Sequence, residues 1–288
     1  MKNLSPICFG CEPLGGTDWG DVNMGDMKKA IYTALDLGVN FFDTAGVYGL
    51  GLSEKRLSNI LGSHRHDMII ATKGGLSWKS NSSGRAAVVK DSSPSAIRRD
   101  VENSLKRLRL ESLPIFFVHW PDNNTLVRET FFELMKLKSD GKIQSIGCSN
   151  FSAGQIQEAC SVAQVDYIQI AVNILSGFPD ERISNVCAQN EIKIIAYNVL
   201  ANGLLTGKFD KNSKFPKHDR RSRLPLFRGE EYYKILDQIE KLKIIAKADN
   251  KSVLQHSINW VLKQNNISSA ILGIKSSNQI ADNWSAIT

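Results

Sequence analysis

Eight short apolar runs recur along the chain, and each is followed by a segment with helical periodicity. The predicted strands cover residues 6–10, 40–43, 68–73, 113–119, 143–149, 167–173, 193–198 and 269–275. Several of these runs are apolar throughout, which is typical of parallel strands covered on both faces. Because strand and helix alternate through all 288 residues without a low-complexity linker, the sequence predicts a single-domain (β/α)8 barrel over residues 1–288.

The segments between the strands carry recognisable helix starts. Ser93 precedes a proline, and Ser152-x-x-Gln155 and Ser252-x-x-Gln255 have the form of capping boxes. Further helices are predicted over residues 24–37, 53–61, 126–139, 153–162, 180–190 and 231–248. The last of these has an apolar face at a 3.6-residue period, formed by Ile235, Leu236, Ile239, Leu242 and Ile245. A doubly wound sheet is the alternative fold, but GCEPLGG after the first strand does not fit its G-x-G-x-x-G pattern.

The composition narrows the class of protein. It is 42% hydrophobic and 23% charged, close to the average of soluble globular proteins. No apolar run approaches the roughly 18 residues of a membrane helix, and the N-terminal residues do not have the pattern of a signal peptide. Five cysteines, an odd number, argue against a disulfide framework and predict a reducing, cytoplasmic location. Cys8-x-x-Cys11 lacks a second pair of ligands, so we expect a structural role there and no metal site.

The net charge of +7 lies almost entirely in one predicted loop, residues 206–229. Eight basic residues against two acidic ones give this loop a charge of +6. On charge alone, a phosphate-bearing small ligand, a polyanion and a solvated loop remain open.

Ionisable side chains stand where the predicted strands end. The second strand ends at Asp43 with Tyr48 just beyond it, the third ends at Lys73, and the fourth ends at His119. Barrel enzymes place their chemistry at the C-terminal ends of the strands, so these four residues converge on one rim. The next three strands add polar residues at the same rim, namely Ser149, Asn150, Gln169, Asn173 and Tyr197. Each residue alone has an ordinary structural explanation, but the convergence predicts an active site.

The four ionisable residues can together form a proton donor. A free phenol has a pKa of about 10, and we expect Lys73, anchored by Asp43, to lower that pKa so that Tyr48 acts as a general acid. His119 can orient a carbonyl oxygen through a ring N–H. Because the set contains no electron source, a reduction requires a bound hydride donor, which the polar residues of the next strands can hold.

These motifs resemble the aldo-keto reductase family over essentially the whole chain. FFDTAGVYGLGLSE is similar to the family's D-T-A-x-x-Y-G-x-G-x-S-E signature, and ATKGG, FFVHWPD, SIGCSNF, IIAYNVLANGLLTGK and GIKSSNQIADN resemble its later elements. The resemblance implies a catalytic tetrad of Asp43, Tyr48, Lys73 and His119. It also implies nicotinamide contacts from Ser149, Asn150, Gln169 and Tyr197, and further cofactor contacts from Leu200, Gly203, Lys208, Lys275, Ser276, Gln279 and Asn283.

The resemblance implies a reductase of small-molecule aldehydes or ketones, and we expect it to bind neither nucleic acid nor membrane. Lys275 is compatible with a 2′-phosphate, which favours NADPH over NADH. We expect Trp19, Trp78 and Trp120 to line the substrate pocket, with the loop 74–92 contributing specificity.

Val172 replaces the aromatic residue common in the family, so we expect altered packing beside the cofactor. The chain also ends soon after Asn283, which suggests a more open pocket.

Two functions compete with carbonyl reduction. One is a non-catalytic, cofactor-sensing scaffold on the same fold, and the other is Schiff-base chemistry at Lys73. The sequence does not define the substrate, the physiological direction or the oligomeric state.

Overall fold

The computed structural model describes residues 3–79, 87–178 and 180–287. Its strands are β1 (Ile7–Gly10), β2 (Phe41–Asp43), β3 (Ile69–Gly74), β4 (Leu76–Lys79), β5 (Ala87–Lys90), β6 (Leu113–Val118), β7 (Ile143–Ser149), β8 (Tyr167–Ala171), β9 (Lys193–Tyr197) and β10 (Ile267–Gly273). All of them except β4 and β5 form one closed barrel in chain order, with β10 returning to pair with β1. Every neighbouring pair in the barrel is parallel, so the predicted (β/α)8 barrel is confirmed.

The helices of the described residues lie between the strands and at the end of the chain. They are α1 (Met24–Asp36), α2 (Leu52–Leu61), α3 (Pro94–Leu108), α4 (Val127–Ser139), α5 (Ala153–Cys160), α6 (Glu181–Gln189), α7 (Gly229–Ala248), α8 (Val253–Leu262) and α9 (Ser277–Trp284). The predicted capping boxes at Ser152 and Ser252 are both formed, and the Ser93 hydroxyl accepts a hydrogen bond from the Ala96 N–H. These caps fix where three helices begin because they satisfy N–H groups that have no partner within the helix.

The alternation of side chains along the strands sets the direction of the site residues. Phe41, Ile69, Ala71, Ile115, Phe117, Tyr167 and Ile195 belong to a small apolar cluster that is separate from the large cluster beneath the helices. Successive side chains of a strand point to opposite faces. The residues two positions beyond those of the small cluster therefore also point toward the interior of the barrel. Asp43, Lys73, His119, Gln169 and Tyr197 all follow this period-two rule. The barrel therefore fills its lower interior with apolar side chains and presents polar ones at its mouth.

One glycine in the barrel wall is required by packing. A Cβ atom at Gly147 would lie 2.3 Å from Cε1 of Phe117 on the neighbouring strand. The absence of a side chain in β7 therefore makes room for the phenylalanine that fills the barrel interior.

Two sequence-based expectations need correction. The loop 74–92 contains an antiparallel hairpin, in which β4 pairs with β5 and Trp78 lies opposite Val88; the loop residues 80–86 lie outside the described residues. On α7, Ile245 is 51% exposed, whereas Ala246 is buried. The buried stripe runs through Ile235, Ile239 and Ala246, and this spacing turns Ile245 away from the core.

The five cysteines are free thiols, and Cys8 and Cys11 are both fully buried. Burial raises the pKa of both thiols well above the ordinary value, so neither forms a reactive thiolate readily. Within residues 3–79, 87–178 and 180–287, no group of three or more His, Cys, Asp or Glu side chains is arranged to hold a metal ion. No described helix combines the length and the apolar character needed to cross a membrane.

Candidate active site

Asp43 and Lys73 form a buried ion pair at the mouth of the barrel. Lys73 Nζ lies 2.6 Å from Asp43 Oδ2, and the two side chains are only 3% and 4% exposed. The same ammonium donates to the Thr44 carbonyl at 2.9 Å, while Gln169 Nε2 donates to Asp43 Oδ1 at 2.6 Å. Both carboxylate oxygens are therefore engaged. These contacts provide the compensation that a buried ion pair needs.

Tyr48 lies over this pair in the turn that follows β2. Its ring centroid is 5.1 Å from Lys73 Nζ and 5.9 Å from the centroid of the His119 ring, which it meets edge to face. The turn depends on a close approach of two backbones, since a Cβ atom at Gly49 would lie 2.2 Å from the Gly15 carbonyl oxygen. Gly49 also has a φ of 57°, a region that favours glycine. The glycine-rich motif thus allows the phenol to sit beside the lysine.

The expected lowering of the Tyr48 pKa is wrong. Burial raises the pKa of Tyr48 well above its ordinary value, and the negative charges of Glu12 and Asp43 raise it further. The Lys73 ammonium, which is paired with Asp43 at 2.6 Å, does not reverse this rise. Tyr48 is therefore a fully protonated phenol near neutral pH, available as a proton donor.

His119 lies immediately after β6, where its backbone N–H donates to the Gly74 carbonyl at 2.9 Å. Burial and the positive charge of Lys73 lower the pKa of His119 well below its ordinary value. Its Nδ1 is buried and has no hydrogen-bond partner among the described residues. The imidazole is therefore neutral, and one ring nitrogen has no protein partner, as expected of a group that meets a ligand.

The depressed pKa of His119 predicts a pH-dependent loss of stability on the acid side. The unfolded chain binds a proton at this histidine below about pH 6.5, whereas the folded protein does not, so stability falls as the pH falls through that range. In His119→Gln, the free energy of unfolding is expected to depend less on pH, by up to about 1.4 kcal/mol per pH unit. Urea denaturation between pH 4.5 and 7.5 measures this slope, with the exposed His66→Gln as the control. Equal slopes in His119→Gln and the wild type would contradict the assignment.

Asn150 connects the ends of three strands at the rim, β6, β7 and β9. It has a φ of 65°, and its side-chain Nδ2 donates to the His119 carbonyl at 3.1 Å and to Ser149 Oγ at 3.0 Å. Its Oδ1 accepts a hydrogen bond from the Tyr197 hydroxyl at 2.6 Å. Three of the four residues predicted to hold the nicotinamide, Ser149, Asn150 and Tyr197, thus form one network. Gln169, the fourth, donates instead to Asp43.

The other predicted cofactor residues lie in two groups. Leu200, Gly203 and Lys208 lie in or beside a 3₁₀ turn (Ala201–Thr206) after β9. Val172 is fully buried and donates its N–H to the Tyr197 carbonyl at 3.1 Å. Lys275, Ser276, Gln279 and Asn283 lie at the start of α9 and along it. Ser276 accepts a hydrogen bond from the Gln279 N–H, and Gln279 Oε1 accepts one from the Lys275 N–H at 2.7 Å. Ser276 and Gln279 therefore also cap this helix.

One lysine from each group, Lys208 and Lys275, lies close enough to Arg221 to be affected by its charge. Burial lowers the pKa of both Lys208 and Lys275, and the charge of Arg221 lowers each further. The pKa of Lys275 is lowered by Lys208 as well. Lysines whose pKa is lowered by nearby positive charge favour an anion beside them.

Sequence reasoning missed a buried ion pair that packs behind the turn carrying Tyr48. Glu54 is fully buried on α2, where it accepts hydrogen bonds from Arg107 Nε and, at 2.6 Å, from Thr72 Oγ1. The Arg107 side chain lies against Gly46 and Gly51, at the two ends of the segment that carries Tyr48. Glu54 belongs to the recognised motif, but Arg107 lies in an unremarkable stretch of α3, so no local signal identifies it.

The three tryptophans predicted to line the pocket have different surroundings. The Trp19 ring centroid is 5.3 Å from the Arg220 guanidinium carbon, beside the barrel mouth. Trp78 lies on the hairpin with its ring edge near Gly46. Trp120 is 39% exposed and lies beneath Lys90, whose Nζ is 4.9 Å from its ring centroid.

The fold and the ionisable cluster at its C-terminal rim are those of a (β/α)8-barrel enzyme. A model of the Aldo/keto reductase family matches residues 6–288. The chain is 33% identical to the aldo-keto reductase YhdN of Bacillus subtilis over 96% of this chain and 83% of that protein. It is 30% identical to the NADH-specific methylglyoxal reductase of Escherichia coli, over 95% and 86% of the two chains. Among solved structures, the glycerol dehydrogenase AKR11B4 from Gluconobacter oxydans has a TM-score of 0.91 and 35% identity, with 99% of this chain and 87% of that chain covered.

The chain belongs to the aldo/keto reductase family. It is accordingly an NAD(P)H-dependent oxidoreductase that acts on carbonyl compounds.

Proposed function

We propose that the protein reduces an aldehyde or ketone to an alcohol with NADPH, and that Tyr48 supplies the proton. The observation that carries this proposal is the placement of a protonated phenol between a buried Lys73–Asp43 pair and a neutral His119. These groups surround one position at the barrel mouth where a carbonyl oxygen can meet both the phenol and the imidazole.

Each side chain has a distinct part in the reaction. When bound, a reduced nicotinamide supplies the hydride that the carbonyl carbon accepts. Tyr48 donates its hydroxyl proton to the carbonyl oxygen, and the phenolate then regains a proton from solvent. A high phenol pKa is compatible with this step, because the developing alkoxide belongs to an alcohol whose pKa is on the order of 16, like that of water. His119 donates a ring N–H to the same oxygen, while Lys73 places a positive charge near the developing phenolate.

The residues at the rim fit a nicotinamide dinucleotide. The Asn150 network ends in amide and hydroxyl groups beside His119, whose Nδ1 has no partner among the described residues. Tyr197 adds an aromatic ring, and the cations of Lys208, Arg221 and Lys275 suit the phosphate end. Ser149, Asn150 and Tyr197 would hold the nicotinamide side, with Lys208, Lys275 and Asn283 at the phosphate side.

The preference for NADPH rests on Lys275, since the family includes a methylglyoxal reductase whose name describes it as NADH-specific. Lys275→Met is expected to raise the KM for NADPH by about 10–100-fold, because it removes a charged partner of the 2′-phosphate. The KM for NADH should change less than about threefold. Steady-state kinetics with both cofactors measure the ratio, and Lys241→Met on the exposed side of α7 controls for the loss of one charge. Equal effects on both cofactors would contradict the role of Lys275.

We also propose that residues 1–288 act as one catalytic domain in the cytoplasm. The family match over residues 6–288 supports the first part, and the five free thiols support a reducing compartment. A single cooperative unfolding transition and recovery of the protein in the cytoplasmic fraction are the expected results.

A further inference from the structure

Glu12 is held beside the turn that carries Tyr48. It begins a 3₁₀ turn (Glu12–Gly15) directly after β1. The preceding residue, Cys11, donates its N–H to the Asp43 carbonyl at 2.8 Å. Arg56 Nη1 donates to the Leu14 carbonyl at 2.8 Å, and Gly15 touches Gly49. The backbone around Glu12 is thus fixed at both ends against the catalytic turn.

Arg220 reaches Glu12 from the basic loop, across 208 residues of sequence. Its Nη1 donates to Glu12 Oε1 at 3.2 Å, and its backbone N–H donates to the Asp18 carbonyl at 2.7 Å. The guanidinium carbon lies 5.3 Å from the centroid of the Trp19 ring. We call Glu12, Trp19 and Arg220 the mouth cluster.

The Glu12–Arg220 pair is open to a ligand, since the side chains are 31% and 38% exposed. It also lies beside the turn of the reacting phenol, because a Cβ atom at Gly15, in the same 3₁₀ turn as Glu12, would lie 2.9 Å from the backbone carbonyl carbon of Tyr48. The ion pair between Asp43 and Lys73 is 3–4% exposed, so it is the mouth cluster that a substrate meets first. The proposed proton transfer makes no use of this second pair.

We propose that Glu12 and Arg220 bind hydroxyl groups of the substrate, which makes the preferred substrate a small, uncharged hydroxyaldehyde or hydroxyketone. This inference rests on the proposed carbonyl reduction and specifies its substrate class. A carboxylate accepts a hydrogen bond from a hydroxyl and a guanidinium donates one, so the pair can hold neighbouring hydroxyls on a carbon chain. An apolar chain would remove water from the pair and replace none of its hydrogen bonds. A carboxylate-bearing substrate would be repelled by Glu12.

Kinetics with glyceraldehyde and propanal test the proposal, since the two aldehydes differ in their hydroxyl groups on a three-carbon chain. The wild type is expected to have the higher kcat/KM for glyceraldehyde. Glu12→Gln and Arg220→Met should each lower that value about tenfold or more, mainly through KM, and change the value for propanal less than about threefold. Arg223→Gln is the control, because Arg223 belongs to the same basic loop as Arg220, pairs with Asp18 at 2.7 Å and lies outside the mouth cluster.

Equal losses on both aldehydes, or no loss on either, would overturn the proposal. If no carbonyl compound causes the wild type to oxidise NADPH, the proposed function fails. Binding of glycerol then tests the mouth cluster separately. A saturable shift of the Trp19 indole N–H resonance in the wild type that is lost in Arg220→Met would support the cluster as a hydroxyl site. An unchanged resonance in the wild type would exclude it.

Discussion

Tyr48→Phe is expected to lower kcat for carbonyl reduction by about 10²–10⁴-fold and to leave NADPH affinity unchanged within about threefold. The substitution removes one oxygen atom and with it the proton that the carbonyl oxygen must receive. The ring itself remains between Lys73 and His119, at 5.1 Å from Lys73 Nζ and 5.9 Å from the imidazole centroid. Single-turnover oxidation of NADPH, followed by its absorbance, measures the effect on chemistry separately from binding.

The matched control for this substitution is Tyr32→Phe. Tyr32 is 40% exposed on α1, and its hydroxyl donates only to the Ile60 carbonyl at 3.2 Å. Turnover in this control should stay within about twofold of the wild type. Near-wild-type turnover in Tyr48→Phe would contradict the assignment of the proton donor.

Asp43→Asn is expected to lower the free energy of unfolding by about 3–5 kcal/mol, because it leaves the Lys73 ammonium buried without its counter-charge. The side-chain shape is retained, and Asn can still accept the hydrogen bond from Gln169, so the loss reports mainly on charge. Urea denaturation measures it, and carbonyl reduction should fall in parallel because Lys73 is no longer held under Tyr48.

The double variant Asp43→Asn/Lys73→Met provides the control for that interpretation. Removing both charges replaces the ammonium with an apolar side chain of similar length, so a large part of the lost stability should return. Additive losses from the two substitutions would show that the pair is not coupled and would contradict the buried-pair account.

The sequence predicted the barrel and the positions of its polar rim because both follow from local patterns. The same alternation that points Phe41, Ala71 and Phe117 into the barrel carries Asp43 and Lys73 to its mouth. The positions of Asp43, Lys73 and His119 at one rim could therefore be predicted from strand periodicity, whereas Tyr48 lies in the turn beyond β2. Their mutual distances could not.

Features that depend on tertiary contacts were missed or misjudged. The Tyr48 pKa is set by burial and by Glu12, neither of which is visible in the motif around the tyrosine. The Glu54–Arg107 pair joins residues 53 positions apart, and the Glu12–Arg220 pair joins residues 208 positions apart. The β4–β5 hairpin was assigned to a loop because its strands are only four residues each.

The basic loop shows how much tertiary contacts change the interpretation of charge. From the sequence alone, the charge of +6 on residues 206–229 is compatible with a polyanion as a binding partner. In the structure, Arg220 pairs with Glu12, Arg221 with Asp219, and Arg223 with Asp18. Asp219 belongs to the loop itself, so Glu12 and Asp18 are the two acidic residues from outside it that balance part of its positive charge within the protein.

Transfer of deuterium from 4-deuterated NADPH tests the central claim most directly. A panel of hydroxyaldehydes, hydroxyketones and simple aldehydes is offered to the wild-type protein, and the products are analysed by mass spectrometry and NMR. We predict that deuterium appears on the former carbonyl carbon of the alcohol, with one NADPH oxidised for each carbonyl reduced. Tight binding of NADPH without deuterium transfer to any member of the panel would contradict carbonyl reduction and favour a cofactor-sensing protein on the same fold.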